Sequence, residues 1–522
     1  MRSSRRLGCR SVTVAQKRLT LASAILGSLV AFIDSTVVNV ALPRIREDLG
    51  GGLAGQQWLT DAYLLTLGSL LLVGGSLGDL YGRRRVFAAG LVGFALASVL
   101  CAAAPSIGAL IVARGVQGVA GALLVPNTLA LIVARFEPSE RGAAIGSWTA
   151  WSGIAMVLGP LAGGLLLEAG SWRWIFAINL IPLAVALELV RRLDATHDAP
   201  EPGHVDVVGG ILATLGLGGP VYALIEGPTR GWGDPLVVAT LVAGLVLLAA
   251  FVIYERRASH PMLPLELFAQ RNFAVGNAAT LSIYGGLSAV PFFLVLFLQQ
   301  VAGYTPLEAG VALLPVTAIM FTLSKRWGAA ADRIGPRVFM GVGPIIAGAG
   351  LALLARLDAR GDYAADVLPA ILIFGLGLSL TVAPLTATVL GGVAEEHAGM
   401  ASAINNATAR VGGLLAIAAI GAVVAASYTN SIERTLGARA DYRPLAPPPP
   451  QASARVRTSL DDAAVHAFRV AMLVTGGLVV VGGVLSAVGI ENPRRSVPCA
   501  NCPGGAAVGA SRDPAVAPAA AR

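Results

Sequence analysis

Fourteen apolar stretches, each about twenty residues long, fill most of this chain of 522 residues. Each stretch can cross the roughly 30 Å hydrocarbon core of a bilayer as a helix that rises about 1.5 Å per residue. The hydrocarbon core offers no hydrogen-bond partner to a backbone amide, so a spanning segment of this kind must be helical. The sequence therefore predicts an all-α integral membrane protein with fourteen transmembrane helices.

The composition agrees with a membrane protein. Hydrophobic residues make up 55% of the chain and charged residues 13%, with a mean hydropathy of +0.72, whereas soluble chains average about 25% charged residues. The net charge of +8 does not indicate nucleic-acid binding, because the basic residues lie in short loops and at the N-terminus, where they set membrane orientation. We expect the lipid bilayer, and no nucleic acid, as a partner.

The apolar stretches divide the chain into five segments. Helices are predicted over 19–41, 57–78, 86–104, 107–134, 143–168, 172–190, 206–226, 235–254, 273–299, 307–327, 338–356, 366–391, 398–427 and 466–489. The segments are a cytoplasmic N-terminal segment (1–18), a six-helix bundle (19–190), two additional helices with their loops (191–272), a second six-helix bundle (273–490) and a disordered cytoplasmic tail (491–522). The Pro-rich loop 428–465 is also predicted to be unstructured. The four cysteines give no disulfide framework. The isolated CANC pair in the tail could hold a metal or cycle redox, but no second pair accompanies it, so we expect it to be incidental.

The basic residues predict the orientation. They concentrate at the N-terminus and in alternate loops, at Arg83–Arg85, Arg135, Arg141, Arg191, Arg192, Arg256, Arg257, Arg333 and Arg337. Cytoplasmic loops carry the excess of Lys and Arg, and an even number of helices places both termini on the same side. We therefore expect a multi-pass protein of the cytoplasmic (inner) membrane with both termini in the cytoplasm, acting as a monomer.

One short motif occurs twice. Residues 75–85 read GSLGDLYGRRR after the second helix, and residues 328–337 read GAAADRIGPR after the tenth. The repeat predicts two related bundles around a central site, as in many transporters. We predict a gate at these turns, formed by Gly75, Asp79, Gly82, Arg83, Arg84, Asp332 and Arg333, in which Asp79 pairs with Arg83 or with a charge on a neighbouring helix. A basic loop that only sets topology would account for the arginines, but not for the spacing of the glycines and aspartates.

In the first six-helix bundle, charged residues lie inside apolar helices. Asp34 lies about fifteen residues into the first helix, Asp61 about one turn into the second, and Arg114 in the fourth. Intramembrane charges are costly and usually face a cavity or a partner, and burial favours the neutral form of a carboxyl group, as a reversible proton carrier requires. Arg114 cannot easily lose its charge, so we predict that it couples to Asp34, directly or through water. A structural hydrogen bond for Asp34 and a solvated position for Asp61 are the alternatives.

Five motifs together resemble one family. The GSLGDLYGRRR loop resembles the signature loop of the major facilitator superfamily. The segments IDSTVVNVALP (33–43) and RGVQGVAGALLVP (114–126) resemble the first-helix and fourth-helix motifs of its drug/proton antiporters. GIAMVLGPLAGG (153–164) resembles the antiporter motif of its exporters, with Gly159, Pro160, Gly163 and Gly164; the small residues predict close helix packing and the proline a kink. GMASAINNATARVGG (399–413) resembles the fourteen-helix branch.

The resemblance covers residues 19–490 and implies a function. It implies a secondary active transporter that exports small amphipathic compounds, such as drugs or antibiotics, in exchange for protons. Asp34, Asp61 and Arg114 would then be the proton-coupling residues. Export of an endogenous metabolite, lipid or siderophore and import of a nutrient by the same fold remain alternatives. A non-transporting receptor is disfavoured, because the buried charges are present.

The central cavity is predicted from polar and aromatic residues in otherwise apolar helices of both halves, namely Tyr63, Gln117, Phe292, Gln299, Asn406 and Arg410. The thirteenth helix lacks the acidic residues that several cation-exporting members of the family have. We therefore expect neutral, zwitterionic or monocationic substrates in preference to dications, unless another acid such as Glu226 or Glu308 reaches the cavity. Arg410 with its neighbouring asparagines could instead meet an anionic or polar ligand, or only pack against another helix.

Enzyme motifs are missing from the sequence. There is no GxxxxGK[ST] phosphate loop, and no Ser/His/Asp or metal-ligand cluster stands out among five histidines. The sequence therefore predicts a transporter with no cofactor or metal, driven by an ion gradient or by the gradient of its own substrate.

Overall fold

The fold consists of long helices that can each cross a membrane. A computed structural model describes residues 13–194, 204–359, 361–391, 393, 397–436, 444 and 452–492. Fourteen helices in these ranges are long and apolar enough to span a bilayer. We number them α1 (Val14–Leu49), α2 (Gly52–Tyr81), α3 (Arg83–Ala102), α4 (Ile107–Arg135), α5 (Pro138–Glu168), α6 (Trp174–Arg191), α7 (Val207–Arg230), α8 (Pro235–Glu255), α9 (Arg271–Gln300), α10 (Pro306–Ile334), α11 (Pro336–Leu354), α12 (Tyr363–Gly391), α13 (Ala398–Leu436) and α14 (Ala454–Gly489). The predicted all-α fold with fourteen spans is confirmed.

Several helices run beyond the apolar stretches that predicted them. α1 continues to Leu49, so Arg44 and Arg46 lie on the helix and not in a loop. α13 ends at Leu436 and α14 begins at Ala454. Both helices therefore extend into the segment 428–465, so the predicted bounds of this loop are wrong. Hydropathy marks only the part of a helix that lies in lipid, while the polar turns at each end continue the same backbone hydrogen bonds.

Two helices are interrupted. α6 is built from Trp174–Ala177 and Leu180–Arg191, with Asn179 at the start of the second piece. α10 is built from Pro306–Val311 and Leu314–Ile334. Both breaks are short, and in each case the two pieces together form one candidate membrane span. The N-terminal residues 1–12, the CANC pair and the rest of the tail after residue 492 lie outside the described residues.

The helices form two bundles of six. In the first bundle α2 packs on α4, α4 on α3, and α1 on α5 and α6; in the second, α11 packs on α12 and α14, and α9 on α13 and α14. The extra helices α7 and α8 pack on each other, and α7 lies against both α2 and α13. α7 therefore bridges the two bundles along one side, where Thr214 donates a hydrogen bond to Ser69 (Oγ1 to Oγ, 2.8 Å).

Glycines allow the helices of each bundle to approach closely. A Cβ atom on Gly118 of α4 would overlap Thr66 and the Tyr63 carbonyl of α2. A Cβ atom on Gly377 of α12 would overlap the backbone nitrogen of Ala347 in α11. Apolar lipid provides little hydrophobic drive for helix association, so close backbone packing of this kind supplies much of the stability.

Hydrogen bonds join the two bundles at one end of the molecule. We call the end at which α1 begins the basic end, and the other the opposite end. At the opposite end, Gln299 of α9 donates to the Val40 carbonyl of α1 (2.9 Å), and Arg46 of α1 donates to Gln300 of α9 (2.9 Å). On a neighbouring helix pair, Gln57 of α2 donates to the Ile417 carbonyl of α13 (2.8 Å). We call this contact between the bundles the seam.

Candidate functional site

A closed polar cluster surrounds Asp34 inside the first bundle. One carboxylate oxygen of Asp34 accepts a hydrogen bond from Arg114 (2.5 Å), and the other accepts from Gln117 (3.0 Å) and Asn179 (2.9 Å). Ser98 accepts from Gln117 at 3.1 Å. The cluster joins α1, α3, α4 and α6, and an oxygen shared by two amides has little capacity for a further donor.

Arg114 is held from several directions. Its Nε donates to the Leu59 carbonyl of α2 (3.1 Å), and its Nη1 also donates to the side-chain oxygen of Gln117 (2.6 Å). The Tyr63 ring lies 4.4 Å from its guanidinium carbon, a cation–π distance. Arg114 is 1% exposed and Asp34 0%. A buried ion pair is stable only when additional hydrogen bonds satisfy both partners, and these contacts provide them.

The structure adds two residues to the site that sequence reasoning missed. Asn179 and Ser98 are both buried and contact the cluster around Asp34. Asn179 stands in the segment WRWIFAINLIP (172–182), where an amide inside an apolar helix was the available signal. Ser98 gives no comparable signal, because a serine in a membrane helix usually hydrogen-bonds its own helix.

Asp61 lies away from this cluster, at the seam. It follows Gln57 by one turn and precedes Leu64 by three residues, and both of these neighbours contact α13. Asp61 is fully buried, and neither of its carboxylate oxygens has a hydrogen-bond partner among the described residues. The solvated position considered from the sequence is therefore wrong, because α13 covers this face of α2.

The repeated motif forms two similar turns at the basic end. Gly82 has φ of 95° and separates α2 from α3, and Gly335 has φ of 108° and separates α10 from α11. Both angles lie in the region that favours glycine. Asp79 pairs with Arg83 (2.9 Å), the first of the two pairings predicted. The remaining motif residues are placed as follows: Gly75 lies near Pro126, Arg84 donates to the Val190 and Arg191 carbonyls, and Asp332 and Arg333 are exposed in the last turn of α10.

The glycines of the antiporter motif fit α5 against two partners. Cβ atoms on Gly159 and Gly163 would meet Thr36 and Val37 of α1. A Cβ atom on Gly164 would lie 2.5 Å from the Leu307 Cα atom of α10 in the other bundle, and Pro160 lies against Gly310 of the same helix. The motif therefore contributes both to the first bundle and to the seam.

The residues predicted to line a cavity lie in different places. Tyr63 and Gln117 are buried beside Arg114, and Phe292 is buried against Phe293 (4.9 Å between ring centres), so these three do not border open space in this structure. Gln299 belongs to the seam. Asn406 is exposed, and Arg410 is half-buried.

Two acids considered as cavity residues have other partners. Glu226 of α7 accepts a hydrogen bond from the Trp58 indole (2.9 Å) and lies 3.5 Å from Arg230. Trp58 therefore contacts α7 and is only half-buried. Glu308 forms a capping box with Thr305 at the start of α10. Both carboxylates are thus already engaged by local contacts.

The comparisons with known proteins identify the family. A family model described as Major Facilitator Superfamily matches residues 24–417. The chain is 38% identical to the puromycin resistance protein pur8 of Streptomyces alboniger, covering 89% of each protein. It is 34% identical to the tetracenomycin C resistance and export protein of Streptomyces glaucescens, covering 78% of this chain and 76% of the relative. This chain belongs to the major facilitator superfamily and is a multi-pass membrane protein.

Solved structures share the fold at low identity. A bacterial homologue of the human lysosomal transporter Spinster, in an inward-facing and unoccupied conformation, superposes with a TM-score of 0.67 at 16% identity, covering 91% of this chain and 97% of that one. The POT family transporter PepTSo gives a TM-score of 0.63 at 16% identity, covering 91% of this chain and 97% of that one. At this identity the likeness supports the fold alone.

Proposed function

We propose that the protein is a secondary active exporter that moves small amphipathic compounds out of the cell in exchange for protons. The observation that carries the proposal is the buried Asp34–Arg114 pair, a charge pair inside a membrane bundle of this superfamily. Intramembrane ion pairs of this kind mark proton relays and substrate pathways. The names of the relatives, which include puromycin and tetracenomycin C resistance, support an antibiotic-like substrate.

Asp34 would carry the proton. A proton on its carboxylate removes the counter-charge of Arg114 and one acceptor of the amides of Gln117 and Asn179. Because these groups belong to different helices, the first bundle must then repack, and its fit against the second bundle changes. In this mechanism proton binding and opening of the seam are alternating events, and substrate leaves through the opened end.

The seam indicates which side of the membrane is closed in the described state. The contacts between the bundles described above lie at the opposite end, which we propose is the outer side, while the basic loops and both termini face the cytoplasm. In this orientation the described state is closed toward the outside. We propose a monomer in the cytoplasmic membrane without enzymatic activity. An exporter of an endogenous compound is the second candidate, and the tetracenomycin relative, named for both resistance and export, favours it.

Export is tested by drug accumulation. The gene, expressed in a bacterial host that lacks its own major drug pumps, should raise the inhibitory concentration of puromycin or tetracenomycin C severalfold and lower their accumulation. A protonophore should remove the difference in accumulation, because the proton gradient drives export. Unchanged accumulation of these compounds and of ethidium, or an accumulation difference that survives the protonophore, would contradict the proposal.

The turn between α2 and α3 should be needed for turnover. Gly82→Val places a β-branched residue at a positive φ, with strain of about 1–2 kcal/mol, and Asp79→Ala removes the pairing with Arg83. We expect both variants to reach the membrane in nearly normal amounts and to lose most efflux. Glu188→Ala, which breaks a similar exposed pair with Arg192, is the matched control and should keep its activity. Normal efflux in both motif variants would show that the loop only sets topology.

A further inference from the structure

Arg410 occupies the place where the two bundles meet near mid-membrane. It lies about midway along the apolar part of α13, and its Cβ atom is 3.1 Å from the position that a Cβ atom on Gly68 of α2 would take. Its guanidinium carbon lies 6.0 Å from the ring of Phe32, halfway along α1. Arg410 therefore belongs to the second bundle but faces two helices of the first.

The guanidinium of Arg410 has no counter-ion within the part of the chain that the structure describes. Among the described residues, Arg410 forms no ion pair and no hydrogen bond, and it is half-buried. Other arginines inside the bundles are engaged: Arg114 pairs with Asp34, and Arg469 donates to the Leu357 carbonyl. An arginine cannot discharge itself by losing its proton, and an unpaired charge at this depth is costly. A half-buried guanidinium without an ion pair can still accept an anionic partner that is not part of the chain.

Among the described residues, the helices around Arg410 place no acidic side chain against its guanidinium. α9 contains no aspartate or glutamate, the acids of α10 stand near its two ends, and the single acid of α13 is Glu433 near its far end. On the other bundle, Asp34 is engaged by Arg114, and Asp61 is buried in the seam without an ion pair. Toward the basic end α10 adds two exposed cations, Lys325 and Arg326. The side chains described around Arg410 therefore add cations and no unpaired acid other than the covered Asp61.

The remaining neighbours are aromatic. The Phe32 ring faces Arg410, and the phenols of Tyr63 and Tyr284 lie within its electrostatic reach. The half-buried rings of Phe32 and Tyr284 beside one cation suit a flat apolar body that carries a negative group. Tyr63 also contacts Arg114, so the Arg410 region adjoins the Asp34 cluster.

We propose that Arg410 is the anchor for an ionised acidic group of the substrate, a carboxylate, sulfonate or acidic phenol on an aromatic, amphipathic compound. The inference rests on the proposed export function and specifies the substrate class of its central site. Asp61, which the sequence offered as a contact for a monocation, is covered by α13 in this structure, and Asp34 is paired with Arg114. Among the described residues, the charge that this site offers to a ligand is therefore that of Arg410. A planar guanidinium with two parallel donors suits such a group better than an ammonium does.

The proposal is tested with two dyes that differ in one group. 1-Anilinonaphthalene-8-sulfonate carries a sulfonate, and N-phenyl-1-naphthylamine has the same ring system without it. The full-length protein in lipid nanodiscs is titrated with each dye, and the signal of empty nanodiscs is subtracted. Wild type should bind the sulfonate dye saturably and more tightly than the neutral dye. Arg410→Gln should weaken sulfonate binding at least about tenfold, the value of one charge-assisted contact, and leave neutral-dye binding within about twofold.

Two variants complete the test. Arg410→Lys should keep part of the sulfonate affinity, because the charge remains while the planar donors are lost. Arg434→Gln removes an exposed arginine from the end of the same helix and should change neither dye. Three results would overturn the proposal: no wild-type preference for the sulfonate dye, unchanged sulfonate binding in Arg410→Gln, or an equal loss of both dyes in that variant.

This experiment is independent of the export test. Dye binding is measured without a proton gradient, so its failure removes the acidic-substrate class and leaves the export proposal intact. Conversely, a chain that binds the sulfonate dye through Arg410 but changes no drug accumulation in cells would contradict export and keep the anion site.

Discussion

Asp34→Asn is expected to abolish proton-coupled efflux. The asparagine keeps the size of the side chain but cannot carry a proton between two charge states, and it leaves Arg114 as an uncompensated buried charge. Breaking a buried pair by removing one partner costs about 3–5 kcal/mol, so reduced expression is also expected. The measurement is the collapse of an imposed pH gradient in proteoliposomes on addition of puromycin, which should fall to the level of empty vesicles.

A double variant separates folding from coupling. Asp34→Asn with Arg114→Gln removes both charges and should regain expression, since neutral amides can hydrogen-bond one another in the cluster, yet proton movement should remain absent. Glu47→Gln, an exposed carboxylate on the same helix, is the control and should behave as wild type. Substrate-dependent proton movement in the double variant would show that Asp34 is structural and that another carboxyl group, with Asp61 the first choice, carries the proton.

Gly164→Leu is expected to hold the seam open and stop transport. A Cβ atom at this position would already lie 2.5 Å from the Leu307 Cα atom, and the obstacle is backbone of the other bundle, which cannot rotate away. Overpacking at such a contact is destabilising. Here it destabilises the conformation in which the seam at the opposite end is closed. Efflux should therefore be lost while the protein still inserts, because the packing inside each bundle is unchanged.

The open seam can be measured directly. With the four native cysteines replaced by serine, spin labels at Arg44→Cys on α1 and Glu433→Cys on α13 report the separation of the bundles at the opposite end. Gly164→Leu should shift the distance distribution to longer values. Gly146→Leu, on the same helix with nothing within 4 Å of a Cβ atom, should leave distances and efflux unchanged. A wild-type distance distribution in Gly164→Leu would mean that α10 adjusts and that the contact does not hold the seam closed.

The broad architecture could be predicted because it depends on local properties of the chain. The length and hydropathy of each stretch predict a spanning helix, and the two copies of the Gly–Asp–Gly–Arg turn predict two related bundles. The turn geometry agrees, since Gly82 and Gly335 both adopt positive φ. Helix ends were predicted less well: the ends of α13 and α14 next to their shared loop are polar, and hydropathy does not mark a helix outside the lipid.

By itself, the sequence determined that Asp34 and Arg114 lie inside apolar helices and must find partners, since lipid cannot solvate them. Only the tertiary structure decided which partners they have. It brought together two residues eighty positions apart, added Asn179 and Ser98 to their cluster, covered Asp61 with α13, and left Arg410 without a counter-ion among the described residues. Hydropathy is a property of a single helix and can be calculated from its own residues. The partner of a buried charged group instead lies on a facing helix, and which helices face each other is determined by packing between distant segments.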